Sequence, residues 1–543
     1  MLNYIWFILI ILGIGTAVYF DVSDKVNDKY KNGEAVSISI TSNENLRLEN
    51  DKPKKILIGI SSSYFNSFYN TSEQNNISQP AQISYDKNKN EYPVFVKVDE
   101  KTPQVWKTIA KASGDADDFT GNIYIDSFSD SSHAQGRLIT EKVNFLKMKQ
   151  VTAAILDYAK TAVNISLGLI GIMALWLGIL KIAEEAGVIK LIASSVKPVT
   201  KFLFPEVPAD HPAMGAIIMN ISANILGLGN AATPFGIKAM EELDKLNPEK
   251  GTATNAMCTF LAINTAGLTL IPTTAIAIRA AAGSSDPAII IGTSFFGASC
   301  ATITGIAAAK MFEKFSRKDI GVFQAIKRNF KKMLIAFLFL FLIAVGITTG
   351  LFSEIVRSIS FIDTGVIRSI VEIVALLTIP ALVLLFVGIG IIKKVKIYEV
   401  FTDGAKEGFN VAVRIIPYLV AMLVAIGIFR EGGAMDILTS ALGRFTSLIG
   451  LPAEALPMVF MRPLSGSGSL GIMTDIMKVH GPDSFIGILV STIMGSTETT
   501  LYVLAVYFGA VNIRKTRHAV AAGLLADAAG ILGALFIVRL LFG

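Results

Sequence analysis

Residues 212–233, PAMGAIIMNISANILGLGNAAT, and residues 457–478, PMVFMRPLSGSGSLGIMTDIMK, are two apolar segments that break at corresponding places. Asn220, Ser222, Asn224 and Asn230 in the first recur as Ser465, Ser467, Ser469 and Asp475 in the second, each 245 positions on (220 to 465, 230 to 475). Gly227 and Gly229 interrupt the first helical pattern, and Gly466 and Gly468 interrupt the second. Backbone that leaves helical geometry at membrane depth exposes N–H and C=O groups that hydrocarbon cannot satisfy, so it must line a cavity or lie buried in protein. Interrupted apolar segments at matching positions of two halves point to a transporter binding site.

The duplication extends outward from these segments. Asp157, Ala159 and Lys160 match Asp403, Ala405 and Lys406, Gly187 matches Gly433, and Thr200 matches Thr446, with one single-residue gap before Pro212 and Pro457. Hydrophobic residues make up 52% of the 543-residue chain, and they gather in eleven apolar segments: 5–20, 162–180, 213–233, 256–278, 287–309, 333–352, 370–392, 411–429, 456–477, 485–510 and 519–536. This is the pattern of an all-α polytopic membrane protein. The stretches 188–204 and 434–449 are amphipathic and are expected at the membrane interface. The net charge of +6 does not indicate a nucleic-acid partner, because the basic residues sit in short loops between apolar segments, where they set orientation. Cys258 and Cys300 lie in apolar runs without the spacing of a zinc site or a disulfide framework, and read as packing residues. Residues 5–20 lack a basic leader and a small-residue cleavage site, so they read as a retained first helix.

Loop charge sets the expected topology. Lys310, Lys314, Arg317, Lys318, Lys327, Arg328, Lys331 and Lys332 form a basic linker expected in the cytoplasm, as are Lys393, Lys394 and Lys396. If the two broken segments dip in and return, Lys181, Lys190, Lys197, Lys201, Arg514, Lys515 and Arg517 also fall inside. The expectation is therefore two re-entrant hairpins and nine crossings in an inverted-topology repeat, with the N-terminus inside and residues 21–150 outside. Alternation at Val36, Ile38 and Ile40, at Val94, Val96 and Val98, and at Ile123 and Ile125 predicts a small β-rich extracytoplasmic insertion there. The expected organisation is a first helix (1–20), the insertion (21–150), a first repeat (151–309), a linker with an extra helix (310–369) and a second repeat (370–543).

The half-helices after the breaks present N–H groups and a positive dipole end, which suits an anionic or strongly hydrogen-bonding solute. Unwound carbonyls with Ser, Thr and Asn oxygens suit a coupling ion, sodium or a proton equally well. A second polar patch follows in each half: Asn264, Thr265, Thr269, Thr273 and Thr274 around Pro272, and Ser496, Thr497, Thr499 and Thr500. Hydroxyls of this kind also serve simply by bonding back to their own helix, and small residues in membrane helices serve close packing. Glu498 and Asp527 lie inside apolar segments, where a central charge costs about 2.5–3.5 kcal/mol on insertion scales, so they must face protein or water. Arg462 precedes the second break and has Asp475, Glu498 or a substrate anion as candidate partners. His211 and His480 read as interfacial. No catalytic set, metal site or cofactor is expected: Ser467 has no membrane-depth base nearby in sequence to activate it.

The segments FPEVPADHPAMGAIIMNISANILGLGNAATPFGIKAMEEL (204–243) and FLAINTAGLTLIPTT (260–274) resemble the spore maturation A family, and FMRPLSGSGSLGIMTDIMKVHGPDSFIG (460–487) with GSTETTLYVLAVYFGAV (495–511) resembles the spore maturation B family. The likeness covers 5–20 and 154–309 for the first and 370–543 for the second, as in a fusion of the two. Both belong to the nucleoside-recognition, or gate-domain, group, which also occurs in concentrative nucleoside transporters and in ferrous iron transport protein B. The resemblance implies a bacterial cytoplasmic-membrane protein with a solute-transport role and, in spore formers, a part in dehydrating the spore core. The insertion and the helix at 333–352 are additions to the family pattern. Two functions follow as expectations: a secondary transporter or solute channel that takes a small-molecule solute between the two hairpins, or a non-transporting membrane assembly protein that recruits partners through its external domain. A homo-oligomer is compatible with either.

Overall fold

The computed structural model of the protein describes residues 2–46, 53–85, 91–113, 117–313 and 364–543. The linker from 314 and the helix expected at 333–352 lie outside the described residues, as do the side chains of Gly229, Asn230 and Ala231. The chain divides into two compact units: Ile10–Ala154 with Ile428–Ala434, and Met1–Leu9 with Ile155–Gly427 and Met435–Gly543.

The smaller unit holds the β-rich insertion, which is a closed antiparallel barrel. Strands β1 (Val36–Thr41), β2 (Lys54–Ile60), β3 (Ile77–Ile83), β4 (Tyr92–Lys97), β5 (Asp118–Phe128) and β6 (His133–Thr140) pair in chain order, and β1 returns to β6 with Val36 opposite Leu138 and Thr41 opposite His133. The expected alternating runs lie on β1, β4 and β5, except that Val98 falls one residue past the end of β4. In β1 Val36, Ile38 and Ile40 point inward while Ser37, Ser39 and Thr41 face out, the period-two pattern that a half-buried strand imposes. Closure leaves no unpaired edge to template aggregation. Two helices, Ser62–Tyr69 and Gln104–Ser113, add the fully buried Phe65 and Trp106 to the core. Their rings meet edge-on at 5.6 Å, and the indole N–H donates to Tyr69 Oη at 3.4 Å.

The barrel hangs between the first helix (Leu2–Val26) and a long helix (Leu146–Glu185). Asp21 closes this junction by accepting from the backbone N–H groups of Lys147 at 2.8 Å and Met148 at 2.9 Å, so a carboxylate caps the positive end of the long helix. Asn32 adds a reciprocal pair of bonds to the Val143 backbone, both 2.8 Å. Asp21→Ala is expected to destabilise the junction by about 1–2 kcal/mol, seen as faster amide exchange over 146–150; unchanged exchange would show that the cap contributes nothing.

Outside the barrel the apolar patterning becomes helices. Among the described residues six helices are long and apolar enough to cross: Trp6–Val26, Leu146–Glu185, Pro287–Glu313, Ile397–Glu431, Phe485–Ala510 and Ala519–Phe542. These hold six of the nine expected crossings. Of the other three, 256–278 is interrupted, 333–352 lies outside the described residues, and 370–392 lies in Thr364–Ile392, of which Ile379–Ile392 counts as a shorter apolar helix. The amphipathic stretches are helices, Val188–Leu203 and Ala434–Ser447. Ile290–Glu313 and Ala519–Phe542 pack closely through small residues: a Cβ at Gly305 would stand 3.0 Å from that of Ala526, and one at Gly533 would stand 3.0 Å from Cys300 Sγ. Without water to expel between helices in lipid, close approach of this kind supplies the association energy. Both cysteines are free thiols.

The duplication is visible as one element order used twice. Each repeat gives two helices joined by a tight break, then a helix that breaks and restarts. The first pair is Pro212–Leu226 with Gly229–Lys245, followed by Asn255–Ala266 with Thr273–Ala281. The second is Leu456–Met461 with Gly466–His480, followed by Phe485–Ser496 with Thr500–Ala510. In each hairpin the two arms pack on one another.

Candidate functional site

Four interruptions create the site, and each has a chemical cause. The first hairpin turns at Gly227, whose φ of +87° ends the Pro212–Leu226 helix with its N–H bonded back to Ala223 and Asn224 carbonyls. Glycine takes this left-handed conformation at no steric cost. The second hairpin restarts after Ser465, whose hydroxyl accepts from Gly468 N–H at 3.0 Å as an N-cap. The first broken helix stops at Gly267 and resumes after Pro272. The second stops at Thr497 and resumes after Thr499, both extended.

The backbone freed at these breaks bonds across elements. Leu270 N–H donates to the Ile225 carbonyl at 2.8 Å, tying the first broken helix to the first hairpin, and Leu501 N–H donates to the Pro463 carbonyl at 3.1 Å, tying the second broken helix to the second hairpin. The two breaks then join each other, with Glu498 N–H donating to the Thr265 carbonyl at 2.9 Å. Buried backbone polar groups must be paired, and here the pairing welds both repeats around one space.

That space is a cavity of about 280 Å³, near the small end of the ~300–1,000 Å³ range of ligand sites. Nine residues singled out from the sequence line it: Asn224, Gly227, Thr269, Thr273, Thr274, Arg462, Gly466, Thr497 and Glu498. Gly267 and Ile415 add to the wall. Asn224 Nδ2 donates to Asn264 Oδ1 at 3.1 Å, so Asn264 positions a wall residue from behind. Arg462 is almost wholly buried. It donates through Nη2 to the Thr497 carbonyl and through Nη1 to Thr499 Oγ1 at 3.5 Å, and its Nη2 stands 3.7 Å from Glu498 Oε2. Of its candidate partners, Glu498 is therefore the one beside it.

Most of the remaining candidates are engaged in bonds within their own elements. Ser222, Thr265, Ser469 and Ser496 bond their hydroxyls to carbonyls of the preceding turn, at 2.6, 3.0, 2.7 and 2.6 Å, the local back-bonding open to Ser and Thr. Asn220 donates to the Ala232 carbonyl at 2.8 Å and to Tyr507 Oη at 3.4 Å, which ties together the two arms of the first hairpin. Thr500 Oγ1 donates to Asp527 Oδ2 at 2.6 Å. Ser467 lies 3.4 Å from Ser465 through their hydroxyls, Gly468 packs on Met461, and Asp475 is fully buried in its helix. Gly229 starts the second arm of the first hairpin and Asn230 follows it. Tyr507 and Gly267 are not among the residues that the sequence singles out. Gly267 has a local cue, five residues before Pro272; Tyr507 has none, because its partners Asn220 and Asn264 are remote in sequence.

A second cavity, about 130 Å³, shares Gly227, Thr273 and Thr274 with the first and adds Lys181, Glu184 and Glu407. Lys181 bonds Glu184 at 2.9 Å.

Six apolar spans among the described residues, a duplicated hairpin and broken-helix unit, and a polar cavity at the breaks define a multi-pass membrane protein with an internal polar site. A family model described as "Nucleoside recognition", the gate domain, matches residues 166–282 and 412–514, which takes in both hairpins. Spore maturation protein A of Bacillus subtilis is 47% identical over 161 residues, 30% of this chain and 81% of that protein. Spore maturation protein B of the same organism is 51% identical over 175 residues, 32% of this chain and 98% of its own length. The chain belongs to the gate-domain family of spore maturation proteins A and B, and joins counterparts of both in one polypeptide.

Proposed function

We propose that this protein is a secondary transporter or solute channel of the bacterial cytoplasmic membrane, which binds a small polar or anionic solute between its two hairpins. The convergence of four helix interruptions on one polar cavity carries this reading, since irregular backbone at membrane depth is tolerated where it lines such a space. In this reading the hairpins are re-entrant, the two halves are inverted relative to each other, the N-terminus is inside and residues 21–150 are outside. The smaller cavity at Lys181, sharing Gly227 with the site, supports a route out past the first hairpin. The names of the relatives link the role to spore maturation where the host forms spores. A sodium ion or proton serves as coupling ion.

The test is uptake by proteoliposomes offered a panel of nucleosides and small anions. Asn224→Ala, which removes a wall amide and leaves Asn264 without that donor, is expected to lower flux roughly tenfold, the effect of about 1.4 kcal/mol. A panel that gives no flux, or flux indifferent to Asn224, would sink the proposal. The barrel, with its own core and closed edges, favours a second reading as a partner-recruiting assembly protein.

A further inference from the structure

We propose that the solute carries an oxyanion, a carboxylate or a phosphate, which binds Arg462 in place of Glu498. The inference rests on the cavity being a solute site and names the chemistry of what occupies it. A guanidinium has five N–H donors, and this one is 2% exposed yet under-used. Its firm acceptor is the Thr497 carbonyl; the bond to Thr499 Oγ1 is long, at 3.5 Å. Its Nε is buried with no partner among the described residues, and so is Thr497 Oγ1 on the same wall. Buried donors without acceptors are costly, so this corner of the wall gains from an incoming acceptor.

Glu498 is poorly placed to be that acceptor. At 3.7 Å it is an ion-pair neighbour of Arg462 outside hydrogen-bond distance, and its side chain, which lines the cavity, is 57% exposed. A half-solvated pair of this kind contributes little, whereas an oxyanion forked on a guanidinium makes short, charge-assisted bonds. When Glu498 swings toward solvent, it takes away from the guanidinium the charge that the solute brings. The other nearby acid, Asp527, stays in place: it is 2% exposed and held by Thr500. Among the described residues lining the cavity, Arg462 and Glu498 are the charged ones, so one guanidinium and one displaceable carboxylate set its preference.

The full chain in nanodiscs is titrated calorimetrically with succinate against succinamide, and with inorganic phosphate against uridine. The anions are expected to bind at least tenfold more tightly than their neutral counterparts. Glu498→Gln, which removes the competitor and keeps the volume, should tighten anion binding several-fold, and Arg462→Gln should abolish it. Neutral solutes binding as tightly as anions, or Glu498→Gln leaving anion affinity unchanged or weaker, would overturn the inference while leaving the solute site standing. Binding of no member of the panel would overturn the inference and the solute-site reading together.

Discussion

Arg279→Ala is expected to lower the stability of the membrane unit by about 2–4 kcal/mol, because it leaves several buried acceptors unpaired at about 1–3 kcal/mol each, while the carboxylate it leaves, Asp483, is 40% exposed and rehydrates. Arg279 is fully buried at the end of the first broken helix. It donates to the Pro482 carbonyl at 2.6 Å, Asp483 Oδ1 at 2.8 Å, Ser284 Oγ at 3.0 Å, Ser491 Oγ at 3.1 Å and the Asp286 carbonyl at 3.3 Å. One side chain thus fastens the loop after the first broken helix to the loop before the second. Arg279→Lys should recover only part of the loss, because an ammonium cannot serve several directions as a planar fork does. Denaturation of the purified protein in detergent measures both variants; a loss below 1 kcal/mol for alanine would show that the network is incidental. Burial alone would raise the Asp483 carboxyl, but bonds from Ser284 and Ser285 and the charge of Arg279 together hold it below the usual carboxylate range. Its contribution is therefore complete above its unfolded value of about 3.9 and is lost as pH falls through the lower folded value.

The second large effect is expected at Gly267. Its φ is +60°, and a Cβ there would lie 2.6 Å from Glu498 Cγ and 3.1 Å from Glu498 N. Gly267→Ala therefore costs about 1–2 kcal/mol for the left-handed backbone and about 1–3 kcal/mol more for overpacking. The clash falls on the residue whose N–H bonds Thr265, so the two repeats lose their direct backbone link. Solute binding or flux is expected to fall at least tenfold. Gly283→Ala is the control, since Gly283 has φ +82° and open space around it and so incurs the backbone strain without the clash. Equal losses in the two variants would show that strain, and not the junction of the breaks, explains the effect.

Periodicity and breaking residues decided how much of this was legible in the sequence. Gly227 and Gly466 advertise both hairpins, and their constant spacing made the duplication plain. The break at Thr497–Thr499 contains neither glycine nor proline, so 485–510 reads as one continuous span although its polar run is visible. Among the strands, β1 alternates cleanly. Lys54 takes an inward position in β2, Gln79 in β3 and Gly136 in β6, so those three show a weaker apolar alternation. Local pattern also cannot separate wall from backing: Ser222 and Asn224 look alike in sequence, yet one bonds its own helix and the other faces the cavity. Arg279 carries no local cue, because partners such as Asp483 lie in polar loops such as GPDS (481–484), distant in the chain.

The clasp between Asp21 and the start of the Leu146 helix has a practical corollary. Entry to and exit from the barrel lie side by side, with Asn32 bonded to Val143 just beyond the carboxylate, so the barrel is a cassette with a single seam. Cutting at 21 and 150 would tear away the cap and the first turn of the long helix together with the barrel. Cutting inside the seam, after Val26 and before Leu146, needs only a short turn to rejoin the ends. That excision separates the two candidate roles cleanly: a recruiting protein loses its activity with the cassette, and a transporter keeps the machinery of its core.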